Sequence, residues 1–205
     1  MLIKEAREIT GGLSKHSKMP GPAYNMPASQ CITGAKLVKV QGSTCSGCYA
    51  LKGNYIRFPA VQKAMERRAA SLVHDSWIPA MVAQIKRHRW FRWHDSGDLQ
   101  SVQHLKNITK ICRQTPDTAH WLPTRESPIL IEYRKRKHRI PKNLKIVLSD
   151  HMNNQQVPPS WWPYTSGVTT DHNQVSCPSS SQGNKCRSCR KCWDRNTKRV
   201  IYGKH

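Results

Sequence analysis

The chain has 205 residues and a formal net charge of +22, because 34 lysines and arginines face only 12 acidic residues. This length supports one domain with a buried core, so the fold does not depend on disulfide bonds as a small secreted domain does. The absence of any run of about 18 apolar residues excludes a membrane-spanning helix. Residues 1–7 also lack the apolar segment of a secretory signal. We therefore expect a cytoplasmic protein, without membrane contact, whose reduced thiols bind metal.

The positive charge indicates a polyanionic partner. Each lysine or arginine that meets a phosphate releases counterions, and the seven tryptophans and six tyrosines can stack on bases. The basic run at residues 134–139 is a solvated face that phosphate contacts can use. Nucleic acid, DNA or RNA, is the partner that we expect. A basic surface without a specific partner, or one that binds an acidic protein, remains open.

The residue pattern predicts few regular elements in the first part of the chain. Residues 1–30 are rich in glycine and proline, which predicts an irregular segment. Residues 37–40 form either a short strand or a connecting arm. Apolar residues at helical spacing then predict helices from residue 60 to about residue 88, divided at Pro79.

Strands and helices alternate after residue 89. The predicted strands cover residues 90–94, 119–123, 144–148 and 167–170, and the predicted helices cover residues 101–114 and 128–137. This alternation predicts a parallel sheet with right-handed crossovers. The expected fold is α/β, with residues 1–171 forming a partial (β/α) barrel of about four to six parallel strands. A cysteine-rich, metal-bound C-terminal extension, residues 172–205, is expected to pack on this domain.

Polar residues follow the predicted strands, where parallel sheets place their chemistry. They are His94, Asp95, Ser96 and Asp98 after the first, Thr124 and Arg125 after the second, and Ser149, Asp150 and His151 after the third. We predict that Arg125 and His94 bind substrate, since a guanidinium group holds a carboxylate or phosphate. Gly97 lets the backbone approach a ligand, and the two flanking carboxylates can hold an amine or a metal. An ordinary turn in which Asp98 or Ser101 caps the next helix explains these residues equally well.

Seven of the eight cysteines fall into two groups. The first group is Cys31, Cys45 and Cys48, and the second is Cys177, Cys186, Cys189 and Cys192, spaced C-x8-C-x2-C-x2-C. Four thiolates close a tetrahedral zinc site or a cubane iron–sulfur cluster. Three thiolates leave one iron of a cubane open to a substrate or cofactor. A single site built from Cys45, Cys48 and two tail cysteines, with Cys31 structural, remains an alternative, as does zinc in place of iron.

The first cysteine group also carries a resemblance to known proteins. Cys31, the CSGCYA segment at residues 45–50 and the WHDSGD segment at residues 93–98 resemble the gene product 88 family of bacteriophage proteins, from about residue 20 to residue 195. The same segments are more distantly similar to radical S-adenosylmethionine (SAM) enzymes, although the usual CxxxCxxC spacing is here C-x13-C-x2-C. That resemblance implies a [4Fe–4S] cluster on the first group and an auxiliary cluster on the second. It also implies that Ser96, Gly97 and Asp98 bind SAM.

We therefore expect an iron–sulfur protein with one or two [4Fe–4S] clusters and a radical SAM-like site that acts on or binds nucleic acid. The resemblance places it in the cytoplasm of an infected bacterial host. The alternative is a non-catalytic nucleic-acid-binding protein whose zinc or iron–sulfur sites only hold the fold. A third hypothesis is a protein that binds a host protein. The sequence contains no GxSxG, Walker A or HExxH motif, so hydrolase and NTPase functions have no support.

Overall fold

The computed structural model describes residues 1–204 and contains one sheet of six strands, all parallel and in chain order. The strands are β1 (Ala23–Tyr24), β2 (Trp90–Trp93), β3 (Ala119–Thr124), β4 (Leu144–Ser149), β5 (Thr165–Thr169) and β6 (Arg199–Gly203). The helices are α1 (Ile3–Thr10), α2 (Ile32–Leu37), α3 (Asn54–Arg57), α4 (Pro59–Ser71), α5 (Trp77–Ile85), α6 (Val102–Gln114) and α7 (Ser127–Lys135). The α/β class and the parallel sheet are confirmed. The sheet is open, because β1 and β6 are its two edges.

One face of the sheet is covered by helices. Successive residues of a strand point to opposite faces, so Phe91 and Trp93 on β2 share one face. The ring of Trp93 lies 6.3 Å from that of Trp77 on α5 and 6.4 Å from that of Tyr24 on β1. Burial of apolar surface contributes about 25 cal/mol per Å², so these large aromatic side chains dominate the stability of this layer.

The other face is covered by the C-terminal tail, residues 177–198. Trp193 packs edge-on against Trp90 and Trp121, with ring separations of 5.7 and 5.2 Å. Its indole nitrogen donates a hydrogen bond to the carbonyl oxygen of Phe91, 2.9 Å away. The buried Lys145 of β4 donates to three carbonyl oxygens of the tail. The tail therefore packs on the sheet, and it leads into β6, which pairs with β5.

The structure differs from the predictions in the first third of the chain. Residues 1–30 were expected to be irregular, but they contain α1, which ends at Gly11 with a φ of 74°. A left-handed glycine is a common helix terminator, so the glycine pair marks the end of a helix. Strand β1 has only two residues, too few for a recognisable pattern.

Two further boundaries also differ from those predicted. Residues 37–40 form the end of α2 and a turn, so the possible strand at this position was wrong. The predicted helical segment breaks at residues 72–76, whereas Pro79 lies in the first turn of α5. A proline is tolerated there because no intrahelical hydrogen bond is lost. In the described chain, no helix combines the length and apolar character needed to cross a membrane.

Candidate functional site

The first cysteine group lies on a loop, residues 31–55, that runs across the carboxyl ends of three strands. We call this segment the cysteine loop. Its first anchor is Glu126, which follows β3 and is almost completely buried. One carboxylate oxygen of Glu126 accepts hydrogen bonds from the backbone N–H groups of Ile32 (3.1 Å) and Thr33 (2.8 Å). The other accepts from the Thr33 hydroxyl at 2.6 Å. Because Cys31 is the N-cap residue directly before α2, these bonds at the start of the helix fix its position.

The second anchor lies at the end of β4. The backbone N–H of Thr44 donates to the carbonyl oxygen of His151 at 2.9 Å, and that of Asn153 donates to the carbonyl oxygen of Gly42 at 3.0 Å. Ser43 and Met152 form an antiparallel bridge between the same two segments. Cys45 therefore comes directly after a short segment whose backbone is paired with the residues that follow β4.

The third anchor joins the loop to the end of β2. The hydroxyl of Tyr49, from the CSGCYA motif, donates to the carbonyl oxygen of Asp95, and the hydroxyl of Tyr55 donates to its carboxylate at 2.8 Å. His16 lies 3.3 Å from the same carboxylate. Burial alone would raise the pKa of Asp95, but the nearby His16 ring and the charge of Arg92 hold it below its ordinary value.

The thiols of the loop approach one another around Gly34. A Cβ atom added to Gly34 would lie 3.6 Å from Sγ of Cys31 and 3.8 Å from Sγ of Cys45. Burial raises the pKa of Cys31, and the charges of Asp98, Cys48 and Cys45 raise it further. For Cys45, burial again raises the pKa, partly offset by the positive charge of Arg125. Thiols that oppose each other's ionisation in this way are stabilised as thiolates when they coordinate a metal.

The second cysteine group lines one small pocket, together with Trp193 and Val200. Its members are Cys177, Cys186, Cys189 and Cys192. Burial raises the pKa of Cys192 to about 11, although the Tyr202 hydroxyl, 3.2 Å from its sulfur, lowers it. Burial and the neighbouring Cys177 and Cys189 raise the pKa of Cys186. The structure therefore brings all four predicted tail ligands to the same place.

No formed coordination site for a metal ion is present in the described chain: nowhere in residues 1–204 do three or more Cys, His, Asp or Glu side chains converge on one ion position. A zinc ion requires its sulfur ligands at about 2.3 Å from a single point. An iron–sulfur cluster instead binds each thiolate through a different iron, so its ligands need not converge on one point. The all-cysteine donor sets fit the chemistry of a cluster, and the metal itself stays a prediction.

The predicted SAM-binding turn, residues 96–98, is tied to the segment after β1. The Ser96 hydroxyl donates to the carbonyl oxygen of Met26 at 2.9 Å, and the Met26 N–H donates back to the Ser96 carbonyl oxygen at 2.9 Å. Gly97 has a φ of 77°, and a Cβ atom there would lie 2.9 Å from Cβ of Met26. Glycine is therefore required at this close approach whether or not a ligand binds.

Asp98 joins the ends of β2 and β3. Its carboxylate accepts hydrogen bonds from the Leu99 N–H (2.7 Å), the Thr124 hydroxyl (2.6 Å) and the Arg125 N–H (2.8 Å). Burial raises its pKa to about 6 against the lowering effect of these bonds. The cap of α6 is Ser101, whose side chain accepts from the His104 N–H at 3.0 Å. The structure thus assigns structural partners to the turn, and its role in cofactor binding stays a prediction.

The two predicted substrate-binding residues lie in different surroundings. Arg125 is half-buried beside the cysteine loop, and its Nε donates to the Asp150 carbonyl oxygen at 3.1 Å. Within residues 1–204, neither of its terminal nitrogens has a hydrogen-bond partner. His94 is buried with a φ of 55°, and its ring lies 5.2 Å from that of His104. Burial lowers the pKa of His94 to about 4. Arg125 therefore lies near the thiols with its terminal nitrogens unpaired within residues 1–204, whereas His94 is buried, and substrate binding by either residue stays a prediction.

A family model matches nearly the whole chain. The family model described as "Gene product 88" matches residues 2–195 of the chain. No curated protein and no solved structure matches it.

Proposed function

The chain belongs to the gene product 88 family of bacteriophage proteins, and from this premise we propose that it is an iron–sulfur protein that acts on or binds nucleic acid in the infected host cell. The observation that carries the proposal is the position of the first cysteine group. Three thiols lie on one loop that is hydrogen-bonded to the carboxyl ends of β2, β3 and β4, the edge where parallel sheets carry out chemistry.

The first cysteine group supplies three thiolates, and an iron–sulfur cluster bound there would provide single-electron chemistry at an iron that lacks a cysteine ligand. Cys31, Cys45 and Cys48 would hold it. Arg125 is the cation beside these thiols, and its unpaired terminal nitrogens would bind a carboxylate or phosphate of the ligand. We also propose a radical SAM-like role, in which Ser96, Gly97 and Asp98 would hold the methionine part of SAM.

The second cysteine group would hold the auxiliary cluster. Its four thiols line one pocket on the tail, and the tail packs on the face of the sheet that the helices leave uncovered. Such a cluster would secure the tail against the sheet. The net charge of +22 supports a nucleic-acid partner, since acidic residues are too few to neutralise the surface.

The proposal is tested by iron, sulfide and zinc analysis of anaerobically purified protein, together with its visible spectrum. We expect a brown protein with about eight irons in two clusters, or about four in one. In the two-cluster case, Cys45→Ala and Cys189→Ala should each remove about half of the iron. Cys112→Ala is the matched control, because Cys112 is buried on α6 and belongs to neither cysteine group. This variant should retain all of the iron. A colourless protein with stoichiometric zinc would refute the iron–sulfur proposal.

A specific observation favours a second candidate, a non-catalytic nucleic-acid-binding protein with structural metal sites. Every carboxylate oxygen of Asp98 and the hydroxyl of Ser96 already has a protein partner. If the turn is only structural, SAM should not bind, and a mild change in the turn such as Ser96→Ala should leave nucleic-acid affinity intact. Equilibrium dialysis with labelled SAM on the anaerobic protein distinguishes the two: binding that Arg125→Gln or Cys45→Ala weakens supports the radical SAM-like role.

A further inference from the structure

A basic pocket lies between α6 and the end of α7, away from both cysteine groups. We call it the α6–α7 pocket, and its lining side chains include Lys106, Lys110, Arg113, Tyr133, His138 and Arg139. The three α6 residues are spaced by four and three positions, so they share one face of that helix. Measured with a water-sized probe, the cavity has about 70 Å³, several times the roughly 10–15 Å³ that one water needs by that measure.

The walls of the pocket are fixed by hydrogen bonds. Arg113 donates to the carbonyl oxygen of Arg139 at 2.7 Å, which joins the end of α6 to the segment after α7. The Tyr133 hydroxyl donates to the Thr109 hydroxyl at 3.2 Å. The ring of His138 packs on Tyr133 with a centroid separation of 4.9 Å. The pocket is therefore a built concavity and not a chance gathering of mobile lysines.

The pocket gathers basic groups without an acidic neighbour among its lining residues. Lys106 and Lys110 are four positions apart on the helix, a like-charge spacing that destabilises a helix by a few tenths of a kcal/mol. Nε2 of His138 is buried and has no hydrogen-bond partner within residues 1–204. A bound anion would neutralise the first two groups and accept a hydrogen bond from the third.

The pocket lies near the amino ends of the strands, whereas the cysteine loop crosses their carboxyl ends. Helix α6 starts after the carboxyl end of β2 and ends before the amino end of β3, so its second half approaches the amino edge. Residue 139 likewise precedes the amino end of β4. Strand β3 has six residues, which corresponds to about 20 Å between the two edges. A small phosphate compound in the pocket would not reach the thiols, whereas a polymer can contact both.

We propose that the α6–α7 pocket binds a backbone phosphate of the nucleic acid. The inference rests on the nucleic-acid part of the proposed function and not on its clusters. This contact would anchor the polymer at the amino ends of the strands, opposite the candidate site. The phosphate would sit between the α6 lysines and Arg139, with His138 as an additional donor.

The test compares two double variants with equal charge change. Lys106→Gln/Lys110→Gln alters the pocket, and Lys4→Gln/Lys63→Gln alters exposed lysines on α1 and α4. Glutamine keeps the helix propensity of lysine, so both variants should fold. Binding of labelled single-stranded and duplex oligonucleotides is measured by fluorescence anisotropy at several salt concentrations. We expect the pocket variant to lose about one unit of the log–log salt slope and to bind about eightfold more weakly at about 0.1 M salt, with the control unchanged.

Three outcomes are decisive. Loss of slope in the pocket variant alone supports the proposal, even if metal analysis finds no iron and the cluster proposal fails. Equal changes in the two variants overturn it, because the charge then acts diffusely. The third outcome comes from calorimetry with inorganic phosphate: if phosphate binds to the wild type and not to the pocket variant, while oligonucleotide binding is the same in both, the pocket belongs to a free phosphate ligand and the proposal is overturned.

Discussion

The ammonium group of Lys145 donates a hydrogen bond to the backbone carbonyl oxygen of Asp194, 2.7 Å away across 49 positions of sequence. It also donates to the carbonyl oxygens of Lys191 and Thr197, each at 2.8 Å. The three donors of the ammonium are thus all used, and the side chain of Lys145 is only 2 % exposed. A single cation on β4 therefore organises the backbone of the tail that carries the second cysteine group.

Substitution of Lys145 by Met should detach the tail. The variant leaves three carbonyl oxygens without their donor, and the loss of hydrogen bonds from a charged group should lower the free energy of unfolding by about 3 kcal/mol. Limited proteolysis should then cut between residues 177 and 198, and the second cysteine group should react faster with thiol reagents. Lys142→Met is the control, since Lys142 is exposed. A variant with wild-type stability and a protected tail would contradict this role.

Gly34→Ala should disrupt metal binding at the first cysteine group alone. The added methyl would lie 2.9 Å from Cβ of Cys31 and would enter the space between its sulfur and that of Cys45. We expect loss of the metal bound by this group and retention of the metal bound by the tail, measured as metal per chain. Gly47→Ala is a matched control in the CxxC segment, because a methyl at Gly47 would meet nothing within 4 Å. Equal metal content in the two variants would show that the first group does not bind metal at this place.

The elements with strong local patterns could be predicted from the sequence. Strand β4 is six buried residues in a row, the pattern of a central parallel strand. Helix α6 has a helical apolar period and a serine cap at Ser101, and its bounds agree with the prediction within one residue. The approach of the polar residues to one edge of the sheet also follows from the alternation of strands and helices, because parallel strands share their carboxyl edge.

The contacts that build the site could not be predicted, because they join positions that are distant in the sequence. Glu126 and Thr33 are 93 positions apart, and no local pattern connects a glutamate after β3 to the helix that follows a cysteine. Lys145 is charged within a strand, so its sequence context gives no sign of the carbonyl oxygens that surround it. The two-residue β1 lacks a detectable period. Strand β6 does contain typical strand formers, Val200, Ile201 and Tyr202, and this local signal is missing from the predicted strands.

Glu126→Gln should loosen the start of α2 and with it Cys31. The carboxylate accepts two backbone N–H groups and one hydroxyl at the amino end of the helix, where negative charge is favourable. A neutral amide keeps one acceptor oxygen, so we expect the free energy of unfolding to fall by about 1–2 kcal/mol. The reactivity of Cys31 towards a thiol reagent in metal-free protein, followed by mass spectrometry, should rise.

Glu66→Gln serves as the control for this variant, because Glu66 is exposed on α4. It should change neither the stability nor the rate of Cys31 modification. A rise in the reactivity of Cys48 to the same extent as that of Cys31 would contradict the prediction, since within residues 1–204 the Glu126 carboxylate accepts hydrogen bonds only from the start of α2.

The stability of the protein should fall as the pH is lowered from about 6.5 to about 4.5, because three histidines are buried in the neutral form. Burial lowers the pKa of His94 to about 4 and that of His120 to about 3, and it also lowers the pKa of His104. In this range the unfolded chain binds protons that the folded protein excludes. Each such histidine therefore lowers the free energy of unfolding by about 1.4 kcal/mol for every unit by which the pH falls. Asp98 has the opposite effect, because its pKa is raised to about 6 in the folded protein. Between its ordinary pKa and this value, the folded protein binds a proton that the unfolded chain does not, and this gain in stability offsets the loss from one histidine.

His104→Phe isolates this effect. The phenyl ring can keep the edge contact with Trp77, 5.7 Å away in the native pair. Nε2 of His104 has no partner, and the bond that is lost, from the Gln100 N–H to Nδ1 at 3.4 Å, changes the stability by the same amount at each pH where the native histidine is neutral. We expect the free energy of unfolding, measured by denaturant titration at several pH values, to depend on pH less steeply by about 1.4 kcal/mol per unit. His74→Gln should leave the dependence unchanged, since His74 is exposed. Metal loss at low pH affects all of these proteins alike, so it cancels in the comparison, and parallel pH curves for wild type and His104→Phe would refute the prediction.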